Sequence, residues 1–124
     1  MTHEAGRRRA PRLSIELAAS IASHKRRSVT VVDLSISGCL VRSESALDHG
    51  SILDLEFALQ PDQLTAKARV TECYVDGEAV SAVSVQRYLV GLEFLGLPAR
   101  EQARLRNFLD DERRRRRSAD PPAR

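Results

Sequence analysis

The sequence has no tryptophan, and only 4% of its 124 residues are aromatic. Valine, leucine, isoleucine and alanine must therefore fill the core, and a chain of this length is expected to form one domain. The scarcity of aromatic side chains also removes the stacking platform on which many proteins bind single-stranded nucleic acid. The composition thus favours a single globular domain that does not bind nucleic acid.

Long apolar runs are missing as well. No run approaches the roughly 20 residues that a membrane-spanning helix needs. The first residues, from Met1 to Arg9, lack the apolar stretch of a secretory signal. We therefore expect a cytoplasmic protein with no membrane insertion.

Metal-ligand and catalytic motifs are also lacking. Cys39 and Cys73 have no second cysteine or histidine at ligand spacing, and the three histidines form no spaced set. We expect two small buried thiols in a reducing compartment. A disulfide between them is possible only if their strands are neighbours. No dinucleotide glycine loop, phosphate loop or Gly-x-Ser-x-Gly elbow occurs. The sequence therefore predicts a protein without metal, cofactor or enzymatic activity, although a triad assembled in space would leave no such motif.

Basic residues are concentrated towards the two ends of the chain. Residues 7–27 contain seven arginines and lysines and one glutamate, and residues 113–117 are five arginines. Between them, residues 28–112 carry seven basic and fourteen acidic groups. Broad nucleic-acid binding requires a basic face across the folded body. An acidic body beside a basic arm is better suited to holding one compact anion.

The middle of the chain has the pattern of a β-rich protein. Leu13, Ile15 and Leu17 alternate with polar or small residues, which is the period of a strand. Turn residues, among them residues 33–38 and the pair Asp76-Gly77, separate the apolar segments. Six short strands predict an all-β fold, a small antiparallel barrel or sandwich. The strands are predicted to begin at Leu13 and to cover residues 28–32, 39–42, 52–57, 64–75 and 82–95.

The C-terminal segment has a helical pattern instead. Pro98 suits the first turn of a helix, and Glu101 suits its positive end. Leu105, Phe108 and Leu109 share one face, which we expect to pack on the barrel. The chain is thus predicted to have a flexible arginine-rich arm at 1–11, a barrel with its helix at 12–112 and a basic, disordered tail at 113–124.

Two short motifs carry the functional interpretation. Arg8 and Arg12 form an Arg-x-x-x-Arg just before the first strand, and Asp33, Ser35 and Gly38 form an Asp-x-Ser-x-x-Gly between the second and third strands. A guanidinium can bind phosphate bidentately, bind guanine O6 and N7, or stack on a base. A carboxylate accepts hydrogen bonds from the N–H donors of a guanine edge. The alternative for the arginine motif is a solvated basic leader, and the alternative for the second motif is a simple Asx turn. Arg-x-x-x-Arg also occurs at residues 100–104 and 113–117, where the spacing is that of one solvated helix face.

With these motifs in order on a six-strand pattern, the sequence resembles the PilZ domain family of bacterial cyclic di-GMP receptors. The resemblance covers residues 8–109, and the stretches 31–41 and 88–95 are typical of the family. It implies a six-stranded antiparallel β-barrel with one C-terminal helix and a ligand on the outer surface of the barrel. Many members have a second glycine where this chain has Cys39.

The resemblance implies a role for each motif residue. Arg8 and Arg12 would take the two arginine roles of the family, and Asp33, Ser35 and Gly38 those of the second motif. Arg7 and Arg9 are possible additional contacts. The implied function is a cyclic di-GMP receptor and adaptor of second-messenger signalling, whose partners are the nucleotide and an unidentified downstream protein. The alternatives are a nucleotide-independent PilZ-like protein–protein adaptor and, less favoured by the charges, a nucleic-acid-binding barrel.

Overall fold

The structure is a computed structural model that describes residues 11–59, 62–77 and 86–119. Arg7, Arg8, Arg9 and the predicted start of the sixth strand at Ala82 lie outside the described residues. The described elements are β1 (Leu13–Ala22), β2 (Arg26–Leu34), β3 (Gly38–Ser43), β4 (Ile52–Leu59), β5 (Asp62–Val75), β6 (Tyr88–Leu95) and the helix α1 (Ala99–Ala119).

The six strands close into a barrel in the order β1-β2-β3-β6-β5-β4, with every neighbouring pair antiparallel. The alternation in sequence places one set of side chains inside. On β5, for example, Leu64, Ala66, Ala68 and Val70 are buried, while Thr65, Lys67 and Arg69 between them are exposed. Each described strand has a partner on both sides, although β1 and β4 pair over only four residues, from Ala19 to Ala22. The predicted fold, a six-stranded antiparallel barrel with one C-terminal helix, is confirmed.

In the first hairpin, the structure supplies the end of β1, which the sequence left open, and corrects one segment. β1 continues to Ala22, beyond the alternating residues, because it pairs with β2 on one side and with β4 on the other. Its register shifts between Ser14 and Leu17, and such an irregularity lets a strand bend around a barrel. Arg26 and Arg27, predicted to lie in a polar break, belong to β2 and pair with Ala22 and Ile21.

Helix α1 covers the barrel with the predicted face. Pro98 immediately precedes the helix, and its carbonyl accepts the amide of Gln102 at 2.8 Å. Leu105 and Leu109 are buried in the core, and Phe108 packs against it. No helix within the described ranges is long and apolar enough to cross a membrane.

The helix continues through Arg113–Arg117 to Ala119. The sequence had instead predicted a disordered tail from residue 113 onward. The prediction missed three consecutive acidic residues one turn earlier. Arg113 pairs with Asp110 at 3.8 Å and Arg114 with Asp111 at 2.8 Å, both at i,i+3 spacing. Glu112 pairs with the next two arginines. Pairs at this spacing stabilise a helix by about 0.2–0.5 kcal/mol each, so together they favour the extra turns.

Arg104 connects α1 to the end of the β4–β5 hairpin by hydrogen bonds. Its Nη2 donates to the carbonyls of Leu59 at 2.9 Å and Asp62 at 2.7 Å, and its Nη1 donates to the carbonyl of Gln63 at 3.4 Å. Glu101 pairs with the same guanidinium at 2.8 Å. The sequence had placed this arginine on a solvated helix face. It instead satisfies carbonyls at the end of a hairpin, as the planar, five-donor guanidinium is shaped to do.

We expect Arg104→Ala to lower the free energy of unfolding by about 2–3 kcal/mol, because several hydrogen bonds to one charged group are lost together. Arg104→Lys should recover less than half of that, since an ammonium cannot reach three carbonyls in one plane. Urea unfolding measures both effects. The control is Arg100→Ala at an exposed position of the same helix. An equal loss of unfolding free energy in that variant would contradict a stabilising role for the Arg104 hydrogen bonds.

Candidate ligand-binding site

Arg12 and Asp33 meet where the N-terminal arm enters the barrel. Arg12 immediately precedes β1, and Asp33 on β2 is paired with Ser14 of β1. Arg12 Nη1 lies 3.3 Å from Asp33 Oδ2, with the two side chains 44% and 22% exposed. The structure therefore brings one residue from each sequence motif into contact, although the two are 21 positions apart. An ion pair this exposed adds at most about 1 kcal/mol to stability, so it is readily exchanged for other partners.

The second oxygen of Asp33 is different. Its Oδ1 is buried and has no hydrogen-bond partner among the residues that the structure describes. Buried polar atoms are nearly always paired, and an unpaired acceptor costs about 1–3 kcal/mol. Asp33 also lies on a strand, one residue before β2 ends, and not inside the turn as predicted. The end of β2 therefore holds a carboxylate whose second oxygen has no donor among the described residues.

Ser35 organises the turn that follows Asp33. Its side chain is buried, and its Oγ accepts the amides of Ser37 and Gly38, each at 3.2 Å. Its own amide donates to the carbonyl of Gly38 at 2.9 Å. These bonds close the turn on itself, as serine hydroxyls commonly do. Of the two roles that the sequence allowed for Ser35, the structural one is what its contacts support.

Gly38 is required by a close approach of two backbones. A Cβ built on it would lie 2.2 Å from the carbonyl oxygen of Leu92 on β6. Among the described glycines, positive φ occurs at Gly50 and Gly96 and not at Gly38, so conformational freedom is not the reason for glycine here. The amide of Phe94 donates to the carbonyl of Ser37 at 2.9 Å and extends the same contact. Gly38 thus allows the turn to pack directly against the backbone of β6.

A scan against family models matches this sequence to the PilZ domain over residues 6–111. The chain belongs to the PilZ domain family. No curated protein sequence matches it.

Solved structures share the fold of this PilZ domain. The PilZ domain of Escherichia coli YcgR with c-di-GMP has a TM-score of 0.73 at 19% identity, over 92% of this chain and 98% of that one. The K. pneumonia MrkH–c-di-GMP complex has a TM-score of 0.75 at 18% identity, over 90% of this chain and 55% of that one. Bacillus subtilis MotI/DgrA, an inhibitor of motility, gives 0.69 at 20% identity, over 90% and 52%. The chain therefore spans about half the length of MrkH and of MotI.

Cys39 follows Gly38 at the position where the sequence departs from the family pattern. Its side chain is buried, and burial raises the pKa of the Cys39 thiol to about 12, with the charge of Asp33 adding to the effect and that of Arg12 opposing it. The thiol is therefore neutral and behaves as a small apolar group. Cys39 and Cys73 are both free, and β6 lies between their strands, so the open possibility of a disulfide is not realised.

Helix α1 also lies beside Pro11 and the second motif, which the sequence did not indicate. A cleft of about 190 Å³ is lined by Pro11, Ile36 and Leu109 together with Arg106, Asp110 and Arg113. Arg113 Nη2 donates to the carbonyl of Pro11 at 3.3 Å. The only available signal was weak, namely that Arg106 and Arg113 are seven residues apart and so share a helix face. Within the ranges described, no group of three or more His, Cys, Asp or Glu could hold a metal ion.

We expect Gly38→Ala to destabilise this PilZ domain by at least about 2 kcal/mol, because a methyl group 2.2 Å from Leu92 O must push β3 away from β6. Thermal unfolding measures the loss. Gly77→Ala is the matched control, since a Cβ there meets nothing within 4 Å, and it should change stability by less than about 0.5 kcal/mol. Equal effects at the two positions would show that the close approach does not explain the glycine.

Proposed function

We propose that this PilZ domain is a receptor for cyclic di-GMP and signals as an adaptor, without catalysis. The observation that carries the proposal is the meeting of the two motifs, in which Arg12 contacts one oxygen of Asp33 while the other oxygen has no described partner. Two of the similar structures, those of YcgR and MrkH, contain c-di-GMP. This supports the choice of ligand, while identity below 25% to those structures establishes the fold alone.

The residue types suit a cyclic dinucleotide. Such a ligand offers two phosphates and two guanine bases. Arg12 has five N–H donors in a planar fork that matches phosphate oxygens or guanine O6 and N7. Asp33, when ionised, only accepts hydrogen bonds, and the Watson–Crick edge of guanine offers two N–H donors. In the proposal, the ligand takes over the exposed guanidinium and supplies the missing donor to Asp33.

The other motif residues have supporting roles in the proposal. Ser35 and Gly38 hold the turn and so fix the direction in which Asp33 points, whatever contacts they also make with the nucleotide. Arg8, with Arg7 and Arg9 as possible additional contacts, would close over the ligand from the arm. Ordering an arm on binding costs affinity, but it creates a new surface for a downstream protein. We place this receptor in the bacterial cytoplasm, in keeping with its two free cysteines.

The competing functions are a PilZ adaptor that needs no nucleotide and a barrel that binds nucleic acid. The contact between Arg12 and Asp33 favours the receptor over the first. The acidic body and the scarcity of aromatic residues count against the second. Calorimetric titration with cyclic di-GMP, cyclic di-AMP, GTP and a short oligonucleotide separates the three, because each function predicts a different set of binding ligands.

We expect Arg8→Ala and Arg12→Ala each to weaken cyclic di-GMP binding by about 2–5 kcal/mol, the usual cost of truncating one side of a desolvated charged contact. Calorimetry measures the affinity, and circular dichroism should show an unchanged β-type spectrum because both residues precede the barrel. Arg27→Ala is a suitable control, since Arg27 donates to Ser45 Oγ at 2.8 Å near the far end of β2. Near-normal affinity in both test variants would refute the arginine-arm mechanism.

Base selection tests the role of Asp33. Phosphates are common to all cyclic dinucleotides, so only groups that contact base edges can select guanine. Adenine presents a ring-nitrogen acceptor where guanine presents a donor, and it would repel the carboxylate. We expect wild type to prefer cyclic di-GMP over cyclic di-AMP by at least about a hundredfold, or roughly 2.7 kcal/mol.

Substitution at this position should remove that preference. Asp33→Ala is expected to lose most of the selectivity together with affinity, and Asp33→Asn to lose less, because its amide oxygen still accepts one bond. Arg8→Ala should lose affinity for both nucleotides. Competition titration of the four proteins measures the preference. An Asp33→Ala variant that keeps the wild-type preference would leave Asp33 a purely structural role and move base selection to another residue.

A further inference from the structure

Arg113 contacts the segment that leads from the arm into the barrel. Its Nη2 donates to the carbonyl of Pro11 at 3.3 Å, across 102 positions of sequence. Pro11 and Arg12 precede β1, which begins at Leu13, so the sheet does not hold them. The described side-chain contacts of this segment are the bond from Arg113 and the pair between Arg12 and Asp33. One of these comes from α1 and the other from the barrel.

The same cleft joins the helix to the second motif. Ile36, in the turn between β2 and β3, lines it opposite Leu109 of α1, and both residues pack with the hydrophobic core. Pro11, the turn and the helix therefore line one cleft, and the bond from Arg113 joins the helix to Pro11. A change in the position of any one of them alters the surroundings of the other two.

Arg113 differs from the arginine that follows it. Its side chain is 30% exposed, and its ion pair with Asp110 is long, at 3.8 Å. Arg114 is 64% exposed and pairs with Asp111 at 2.8 Å. The remaining charged groups around the cleft are Arg106 and Asp110. Arg113 is thus held at the junction with the arm, whereas Arg114 is a solvated helix residue.

We propose that Arg113 is a positioning residue for Arg12 and couples the nucleotide site to the C-terminal half of α1. The bond to Pro11 holds the residue before Arg12 beside the turn, so that the guanidinium of Arg12 meets Asp33 from a defined place. Residues 110–119, which follow the last buried residue of the helix at Leu109, then sense whether the site is occupied. The proposal rests on cyclic di-GMP being the ligand, and the coupling must be reciprocal, since each site shifts the other by the same factor.

The test compares Arg113→Ala, Arg113→Lys and the control Arg114→Ala. We expect Arg113→Ala to weaken cyclic di-GMP binding by about threefold to tenfold, the effect of losing one partly exposed hydrogen bond to a charged group. Arg113→Lys should recover part of this, and Arg114→Ala should stay within about twofold of wild type. Cyclic di-GMP should slow hydrogen exchange of residues 110–119 in wild type and in Arg114→Ala but not in Arg113→Ala. A merely structural role would not remove that response.

A measurement on the free protein separates this proposal from the proposed function. Without ligand, trypsin should cut between Arg12 and Leu13 at least about threefold faster in Arg113→Ala than in Arg114→Ala, because the segment has lost one of its two side-chain contacts. If wild type does not bind cyclic di-GMP but this difference is found, the nucleotide assignment fails and the positioning role stands. Equal cutting rates in the two variants would overturn the positioning role. Equal affinities and equal exchange responses in the two variants would overturn the coupling.

Discussion

At Gly38 the backbones of β3 and β6 approach so closely that a Cβ would lie 2.2 Å from Leu92 O. β3 stands between β2 and β6 in the closed barrel, so this approach is part of what closes the sheet. It also fixes the turn that begins where Asp33 and Leu34 end β2. The packing that completes the fold is therefore the packing that orients the carboxylate, and the two cannot be altered independently.

Local periodicity accounts for what the sequence predicted well. The strand pattern of β1 and β5 and the face formed by Leu105, Phe108 and Leu109 depend on neighbours a few residues away, which sequence displays directly. Arg104 and Arg113 were misjudged because their partners are backbone carbonyls 41 and 102 positions away. A carbonyl has no residue-type signature, so no motif can reveal which arginine will bind it. The extension of α1 to Ala119 was within reach of the sequence, since Asp110, Asp111 and Glu112 stand one turn before the arginines.

The sequence singled out the residues of the second motif but not their division of roles, and their binding of a ligand stays a prediction. The sequence placed Asp33, Ser35 and Gly38 together and allowed each either a structural or a binding role. The contacts distinguish them, since the hydroxyl of Ser35 is used within the turn and Gly38 is needed for the approach of β6. Asp33 alone keeps an acceptor without a described partner. Spacing in a motif cannot make this distinction, because a turn needs the same residue types as a ligand site does.

The energetics of Asp33 bear on whether this domain is a receptor or an adaptor that needs no ligand. A structural adaptor gains nothing from a buried oxygen that has no donor among the described residues, which costs about 1–3 kcal/mol, beside an ion pair whose arginine is 44% exposed. Replacing the carboxylate by a smaller or amide side chain would remove that cost. A receptor gains from the same arrangement, because a ligand that supplies the missing donor binds more tightly to a site that is incompletely satisfied without it, and so stabilises the fold on binding. In the proposed receptor, a donor from the ligand would pair this oxygen, which none of the described residues does.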